Sequence, residues 1–396
     1  MAFNYEINQL ELMQARIKSV PHGWQFTYVG KAFCIRNNLR KPISEEERSM
    51  SPGNYPYYGP TKIQGYIGTF EQDGSYALIG EDGDHFLKFE KHSMTQLVDG
   101  KCTVNNHAHI IEGTKEASRE WFYYYFMHRD IFSFLSRQGA GRYKLNKASL
   151  EKMPLLLPPI VEQKKIAQIL STWDNAISVT EKLLANSQRQ KKALMQQLLT
   201  GNKRLLDENG VRFSREWKQV ELGDVFEKVS NGLTYDANSL DGLPVTRIET
   251  ISTGRVNFEK VGWAPDCDNT RRFKLNLGDI LYSHINSLEH IGRVAYFNDD
   301  KPLYHGMNLL LLRTKMQNNS LFLFHLLNSQ VGKKYAKTYA KSAVNQASIS
   351  TTDIKTFKVF IPERLEQQKI ASVLSAADAE ISTLEKKLAC LRDGLC

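Results

Sequence analysis

Two histidines in the segment NNHAHI, His107 and His109, stand at the spacing that turns both side chains of a strand to one face. Imidazoles so placed could bind a metal ion. Two ligands do not close a zinc site, however, and no cysteine or carboxylate sits beside them. A hydrogen-bonded strand pair is the expectation, and no metal ligand is assigned. A second constellation is Asp266 with Asp299 and Lys301, two carboxylates and a lysine that could hold magnesium and activate water. With 43 acidic and 52 basic residues in the chain, such triples arise by chance. Phosphate-cradling loops are absent: there is no GxxxxGK(S/T), and GAGRYK lacks the third glycine of a GxGxxG turn. No Asn/Asp-Pro-Pro-aromatic run of the kind adenine methyltransferases use occurs either. The expectation is a chain with no catalytic and no cofactor-binding residue of its own.

What remains is the chemistry of recognition. The formal net charge is +9 and the pI is near 9.1, which suggests a polyanionic partner. The excess is spread thinly, so folded surfaces rather than a basic tail would carry it. Reading base edges takes donors and acceptors on loops or helix faces that enter a groove. SHINSLEHIGR offers Ser283, His284, Asn286, Ser287, His290 and Arg293; read plainly, it is a turn with solvated polar side chains. VTRIET offers Thr246, Arg247 and Glu249, or else a strand with one exposed face. RQGAGRYKLNK places Arg137, Arg142, Tyr143, Lys144 and Asn146, and YAKSAVNQASIS places Lys341, Asn345 and Gln346, at corresponding points before two related helices. Gly- or Ser-rich turns with basic side chains suit close approach to phosphates. Tyr57, Tyr58, Lys62 and Gln64 complete the set, although tyrosines in such a run often belong to a core.

Those helices dominate the chain. EQKKIAQILSTWDNAISVTEKLL begins at Glu162 and EQQKIASVLSAADAEISTLEKKL at Glu366. In the second, Ile370, Leu374, Ala377, Ile381, Leu384 and Leu388 step by fours and threes, a heptad seam for lengthwise packing. The first keeps the register with Ile166, Leu170, Trp173, Ile177 and Leu184, interrupted by Thr180, Ser187 and Lys191. A helix of about 38 residues spans roughly 57 Å, so these are rods. Before each rod lies a strand-rich segment, and GWQFTYVGKAF matches EWKQVELGDVF with Trp24 facing Trp217 and Gly30 facing Gly223. The repeated unit is therefore a head followed by a rod, and the fold class is α+β with a pseudo-twofold internal repeat. Each head should end in a helix, REWFYYYFMHRDIFSFLSR or SLFLFHLLNSQVGKKYAKTY, then a turn and a final strand. Antiparallel rods would hold the heads about 40–50 Å apart, a little over one turn of duplex DNA. The predicted divisions are an N-terminal helix over 1–19 beside the C-terminus, heads over 20–157 and 204–361, and rods over 158–203 and 362–396. Five cysteines without a CxxC argue for reduced thiols, and no apolar run reaches the ~20 residues of a membrane span. A cytoplasmic location is expected.

The head–rod order, together with YPYYG…IQGYI, NNHAHI, LGDILYSHINSLEHIG and LPPIVEQKKIAQIL…QKKALMQQLLTG, resembles the specificity subunit of type I restriction–modification enzymes over essentially the whole chain. The resemblance implies that the heads are target recognition domains reading a bipartite, asymmetric DNA sequence, and that the rods are spacer helices. It further implies two adenine methyltransferase subunits and motor–nuclease restriction subunits as partners, with S-adenosylmethionine and ATP/Mg bound by those partners. The second rod is shorter than the resemblance implies, which weakens the docking expected at that end. The rival readings are a self-contained Mg-dependent nuclease using Asp266, Asp299 and Lys301, and a coiled-coil scaffold that never touches DNA.

Overall fold

The computed structural model describes residues 17–138, 142–236, 239–343 and 346–394. Its contacts divide the chain into residues 1–176 and 177–396. The helix expected over 1–19 lies outside the described residues up to residue 16, and Ile17, Lys18 and Ser19 are not helical.

In the first unit, aromatic and β-branched runs form a six-stranded sheet in the order Cys34–Ile35, Ala108–Glu112, Gln72–Gly80, Thr95–Val104, Pro52–Tyr58, Ile63–Ile67. Only Pro52–Tyr58 and Thr95–Val104 pair in parallel. Helix Arg119–Phe126 buries Trp121, Phe122 and Phe126 in a core with Val29, Ala77, Ile79, Ile111 and Leu155. The longer helix expected there stops at Phe126. Asp130 accepts from the Phe132 N–H at 2.9 Å, and a single 3-10 turn, Phe132–Phe134, follows. DHFLK forms the 3-10 turn Asp84–Lys88.

The second unit has a four-stranded antiparallel sheet in the order Phe226–Asn231, Leu310–Thr314, Ile280–Tyr282, Val294–Tyr296. Leu243–Val245 pairs with Gly262–Ala264, and Gln346–Ser348 lies between Ile285–Asn286 and Lys341–Ala343. GRVNF is irregular, with Val256 and Phe258 turned onto a core around Leu281, Ala295 and Leu311. The helix expected over 320–339 is two helices, Ser320–Asn328 and Gln330–Tyr339. Ser329 between them is extended, and its hydroxyl caps the second by accepting from the Val331 N–H.

The first rod is Ile160–Leu198, 39 residues and about 58 Å long. The second is Arg364–Asp393, ended by Gly394 in the left-handed region (φ 67°). Within the second unit the two run antiparallel: Glu181 meets Arg392 at 2.7 Å, Ser187 donates to Glu380 at 2.8 Å, and Lys191 pairs with Asp378. Ile370, Leu374, Ile381 and Leu388 are buried, and so are Thr180 and Ser187, so the polar interruptions sit inside the seam. Ile177, Leu184 and Leu384 are half-buried, as are Ile166 and Trp173 in their places. Leu170 is 39% exposed, a correction to its expected place, because the buried face of that stretch runs through Gln163 and Ala167.

The repeat is most literal where head joins rod. Gln25–Tyr28 pairs with Pro154–Leu157 just as Lys218–Glu221 pairs with Lys358–Ile361. Each opening strand enters a one-turn helix whose glycine lies against the element before the closing strand. A Cβ on Gly30 would come within 2.9 Å of the Glu151 Cβ, and one on Gly223 within 3.2 Å of the Lys355 Cβ. Trp24 Nε1 donates to Glu162 at 3.2 Å, and Trp217 Nε1 to Glu366 at 3.3 Å. Gln163 accepts from the Ser118 N–H at 2.9 Å and donates to the Pro158 carbonyl at 2.7 Å. Gln367 repeats this with the Asn319 N–H at 2.8 Å and the Pro362 carbonyl at 2.9 Å. The Glu-Gln pair of each copy thus ties the rod's first turn to the cap of the head's helix.

Cys34, Cys102 and Cys267 are free thiols. Cys390 is disulfide-bonded, a correction to the all-thiol expectation: the absence of CxxC argues against a framework and does not exclude a single bridge. Among the described residues no helix is long and apolar enough to cross a membrane.

Candidate nucleic-acid interface

In the first unit the join before the rod forms a hairpin, Ser136–Gln138 against Arg142–Lys144. Arg137 and Arg142 are exposed on it, and the Arg137 guanidinium lies 5.6 Å from the centre of the half-buried Tyr143 ring. The hairpin is pinned by the loop at 81–83. The Leu145 N–H donates to the Glu81 carbonyl at 2.7 Å, the Gly83 N–H to the Tyr143 carbonyl at 3.1 Å, and Lys144 pairs with Glu81 at 3.3 Å. Lys144 is therefore an anchor rather than a free cation. Burial opposes ionisation of Glu81, yet the Arg40 hydrogen bond, His109 and Lys144 together hold its carboxyl below the usual range.

From Glu81 the network continues to the other candidates of this head. The Glu81 N–H donates to the His107 carbonyl at 2.8 Å, and the His107 N–H to Asn105 Oδ1 at 2.8 Å. Asn105 Nδ2 donates to Gln64 at 3.0 Å. Lys62 and Gln64 are exposed, so one connected rim presents Lys62, Gln64, Arg137 and Arg142. The histidines separate. His107 lies in the turn before the strand and pairs with Asp82 at 2.8 Å, while His109 is fully buried between Asn37 and the Leu145 carbonyl. Burial lowers the His109 pKa, while the Leu145 carbonyl and Glu81 act in the opposite direction.

Three candidates of this head have structural roles. Tyr57 is 1% exposed, its hydroxyl accepting from the Ile43 N–H at 2.9 Å, and Tyr58 packs half-buried on the core around Leu78 and Ile110. Asn146 caps helix Lys147–Glu151, accepting from the Ser149 N–H at 2.8 Å.

In the second unit the three-stranded sheet brings together what the sequence separates: Asn286 faces Ala347, and Lys341 faces Ser348. Ser287, Lys341 and Gln346 are exposed there, whereas Asn345 lies outside the described residues. Lys341 stands 3.7 Å from Asp353 with most of its side chain in solvent. His290 and Arg293 are half-buried and bonded to each other at 3.1 Å, and Arg293 also donates to the Ser252 carbonyl. Arg247 and Glu249 sit beyond the end of strand Leu243–Val245 in a turn, not on the exposed strand of the alternative reading, with 3.5 Å between them. The Arg247 N–H is held by Thr250 Oγ1 at 2.8 Å.

Thr246, Ser283 and His284 are corrections. Thr246 is fully buried, its hydroxyl accepting from the Gly306 N–H at 2.9 Å. Ser283 is buried and accepts from Asn286 Nδ2 at 3.1 Å. His284 is 7% exposed, and burial pulls its pKa down to about 4. All three lie just past the ends of strands Leu243–Val245 and Ile280–Tyr282, where the fold buries them.

The nuclease constellation is dispersed into local structure. Asp266 holds Arg271 at 2.7 Å, Asp299 accepts from the Lys301 N–H at 2.8 Å, and Lys301 lies over the Phe258 ring. Among the described residues no group of three His, Cys, Asp or Glu is arranged to hold a metal. The joint residues Glu162, Gln163, Glu366 and Gln367 were missed as a set, although their identity in both copies was the available signal.

Comparison with known proteins agrees with this architecture. A model of the type I restriction modification DNA specificity domain matches residues 7–186 and again 214–391. A putative type I restriction enzyme specificity subunit of Haemophilus influenzae is 27% identical over 377 residues, 89% of this chain and 87% of the relative. The putative MjaX specificity subunit of Methanocaldococcus jannaschii is 44% identical over 179 residues, 44% of this chain and 42% of the relative. The crystal structure of a type I restriction–modification S subunit from M. genitalium has a TM-score of 0.64 over 96% of both chains at 15% identity, a likeness of fold.

Proposed function

This chain belongs to the type I restriction–modification DNA specificity family, and we propose that its two heads, residues 20–157 and 204–361, each read one half of a split, asymmetric DNA target. The observation that carries this reading is a joint built twice from the same residues, Trp24/Glu162/Gln163 and Trp217/Glu366/Gln367, beneath two heads with different sheets. Equal mounts under unlike readers suit unlike half-sites. We assign DNA contact to Lys62, Gln64, Arg137 and Arg142 in the first head and to Arg247, Ser287, Lys341 and Gln346 in the second, a reading supported by their exposed or partly exposed side chains. Phosphate contacts would make affinity salt-dependent, and base-edge contacts would give choice of sequence.

The chain acts without catalysis of its own and holds two adenine methyltransferase subunits, which bind S-adenosylmethionine and turn the target adenines out of the duplex. Motor–nuclease subunits carrying ATP and magnesium join through them. Support for docking comes from the long helix, where Val161, Ile169, Val179 and Leu183 share one side by helical spacing and stay exposed. The test is to exchange residues 204–361 for another head in cells that carry the partner subunits and to map methylated adenines. One half-site changes and the other stays. A change in both halves, or in neither, overturns the reading.

A further inference from the structure

Helix Gln330–Tyr339 of the second head is sharply two-sided. Inward, a Cβ on Gly332 would meet the Leu327 carbonyl at 2.1 Å, so the two helices approach through bare backbone, while Tyr335 and Tyr339 lie on Phe357 with ring centres 5.4 and 4.9 Å away. Outward stand Lys333, Lys334 and Lys337, exposed and with no acidic partner among the described residues. Three free cations on ten residues cost self-repulsion that neighbouring acids usually relieve. Gln330 and Thr338 join them around a shallow dish of 420 Å³.

Lys333 and Lys337 also line a cleft of 970 Å³ between this head and the rods, with Arg255, Arg293 and His325. Arg255 reaches Glu385 at 3.3 Å, and Lys191 occupies Asp378, so the acids of the rod wall are already engaged. His325 is 1% exposed and its Nδ1 has no partner. The helix leads directly into Lys341–Ala343, the strand beside Gln346.

We infer that Lys333, Lys334 and Lys337 form a sequence-neutral phosphate track, which grips the DNA backbone flanking the half-site read by the second head. This rests on the reading of that head as a DNA reader. A duplex is the occupant favoured by charge: three unpaired ammonium groups at helical spacing match a row of phosphates, and Gln330 and Thr338 supply further donors.

The experiment is fluorescence anisotropy of the full chain on a random-sequence duplex of about 40 base pairs, from about 50 to 200 mM salt. With Lys333→Ala, Lys334→Ala and Lys337→Ala combined, the slope of log affinity against log salt becomes shallower by about 2–3, and affinity near 100 mM falls roughly tenfold or more. The corresponding triple Lys→Arg variant keeps the slope. An unchanged slope overturns the track, even if affinity drops, since a folding defect lowers affinity without removing phosphate contacts. So does a triple variant that binds DNA normally and loses only partner subunits, which would make the face a protein dock. Gln346→Ala in the methyltransferase complex separates the two readings: it relaxes sequence choice and leaves the slope alone, whatever the lysines do. A wild-type chain with no salt-dependent duplex binding sinks both.

Discussion

His284, His305 and His325 are each held by burial at a pKa of about 4, and each leaves its Nδ1 without a partner. An unfolded histidine takes up its proton near pH 6.5. Between that pH and 4 the unfolded chain therefore binds more protons than the folded one, and stability falls as the solution is acidified. Urea midpoints measured at pH 7, 6 and 5 should decline in that order; a flat or rising series contradicts the burial of these rings. The depressed carboxyls, Glu81 and Asp99 among them, add their loss at lower pH, when they protonate. At this scale the sequence was only partly legible. Side-chain type marked Thr246, Ser283 and His284 as readers, but type does not say which residues beyond a strand end the fold covers, and all three are buried. Asn146 was misread where local spacing held the answer: it stands before KASLE as Ser350 stands before TTDIK, both helix caps.

Helices and strands carried their own signals where periodicity was long. The heptad steps of the second rod were enough to find its buried face, and the chain's polar seam residues, Thr180 and Ser187, are buried as well. The break at Ser329 was not foreseen, since a hydrophobic run continuing into a lysine-rich one shows no proline. At the joints the repeated Glu-Gln pair was visible in both copies, but its distant partners were not, Trp217 for Glu366 among them. There the two copies differ in a way that predicts their energetics. Glu366 is fully buried and takes two bonds from Arg204, at 2.6 and 2.7 Å, besides the indole, whereas Glu162 is exposed. Removing one partner of a buried ion pair costs about 3–5 kcal/mol, and removing an exposed hydrogen bond about 1 kcal/mol or less. Glu366→Ala should therefore destabilise several times more than Glu162→Ala in chemical denaturation. Equal losses would mean that the second joint's extra arginine contributes nothing.

The duplication visible in the sequence is the organising fact of the whole molecule. It gives two head segments and two rods, and within the second unit the rods pair antiparallel at Glu181–Arg392 and Ser187–Glu380. What the sequence withheld is the identity of the bases read, because groove contacts depend on loop geometry that residue type does not fix. The measurement that bears most directly on a spacer set by the rods is a methylome taken after inserting one heptad into both helices. Seven residues add roughly 10 Å, close to three base pairs, without turning the seam out of phase. The account predicts the same two half-sites with about three more base pairs between them. An unchanged spacer, or altered half-sites, would contradict it.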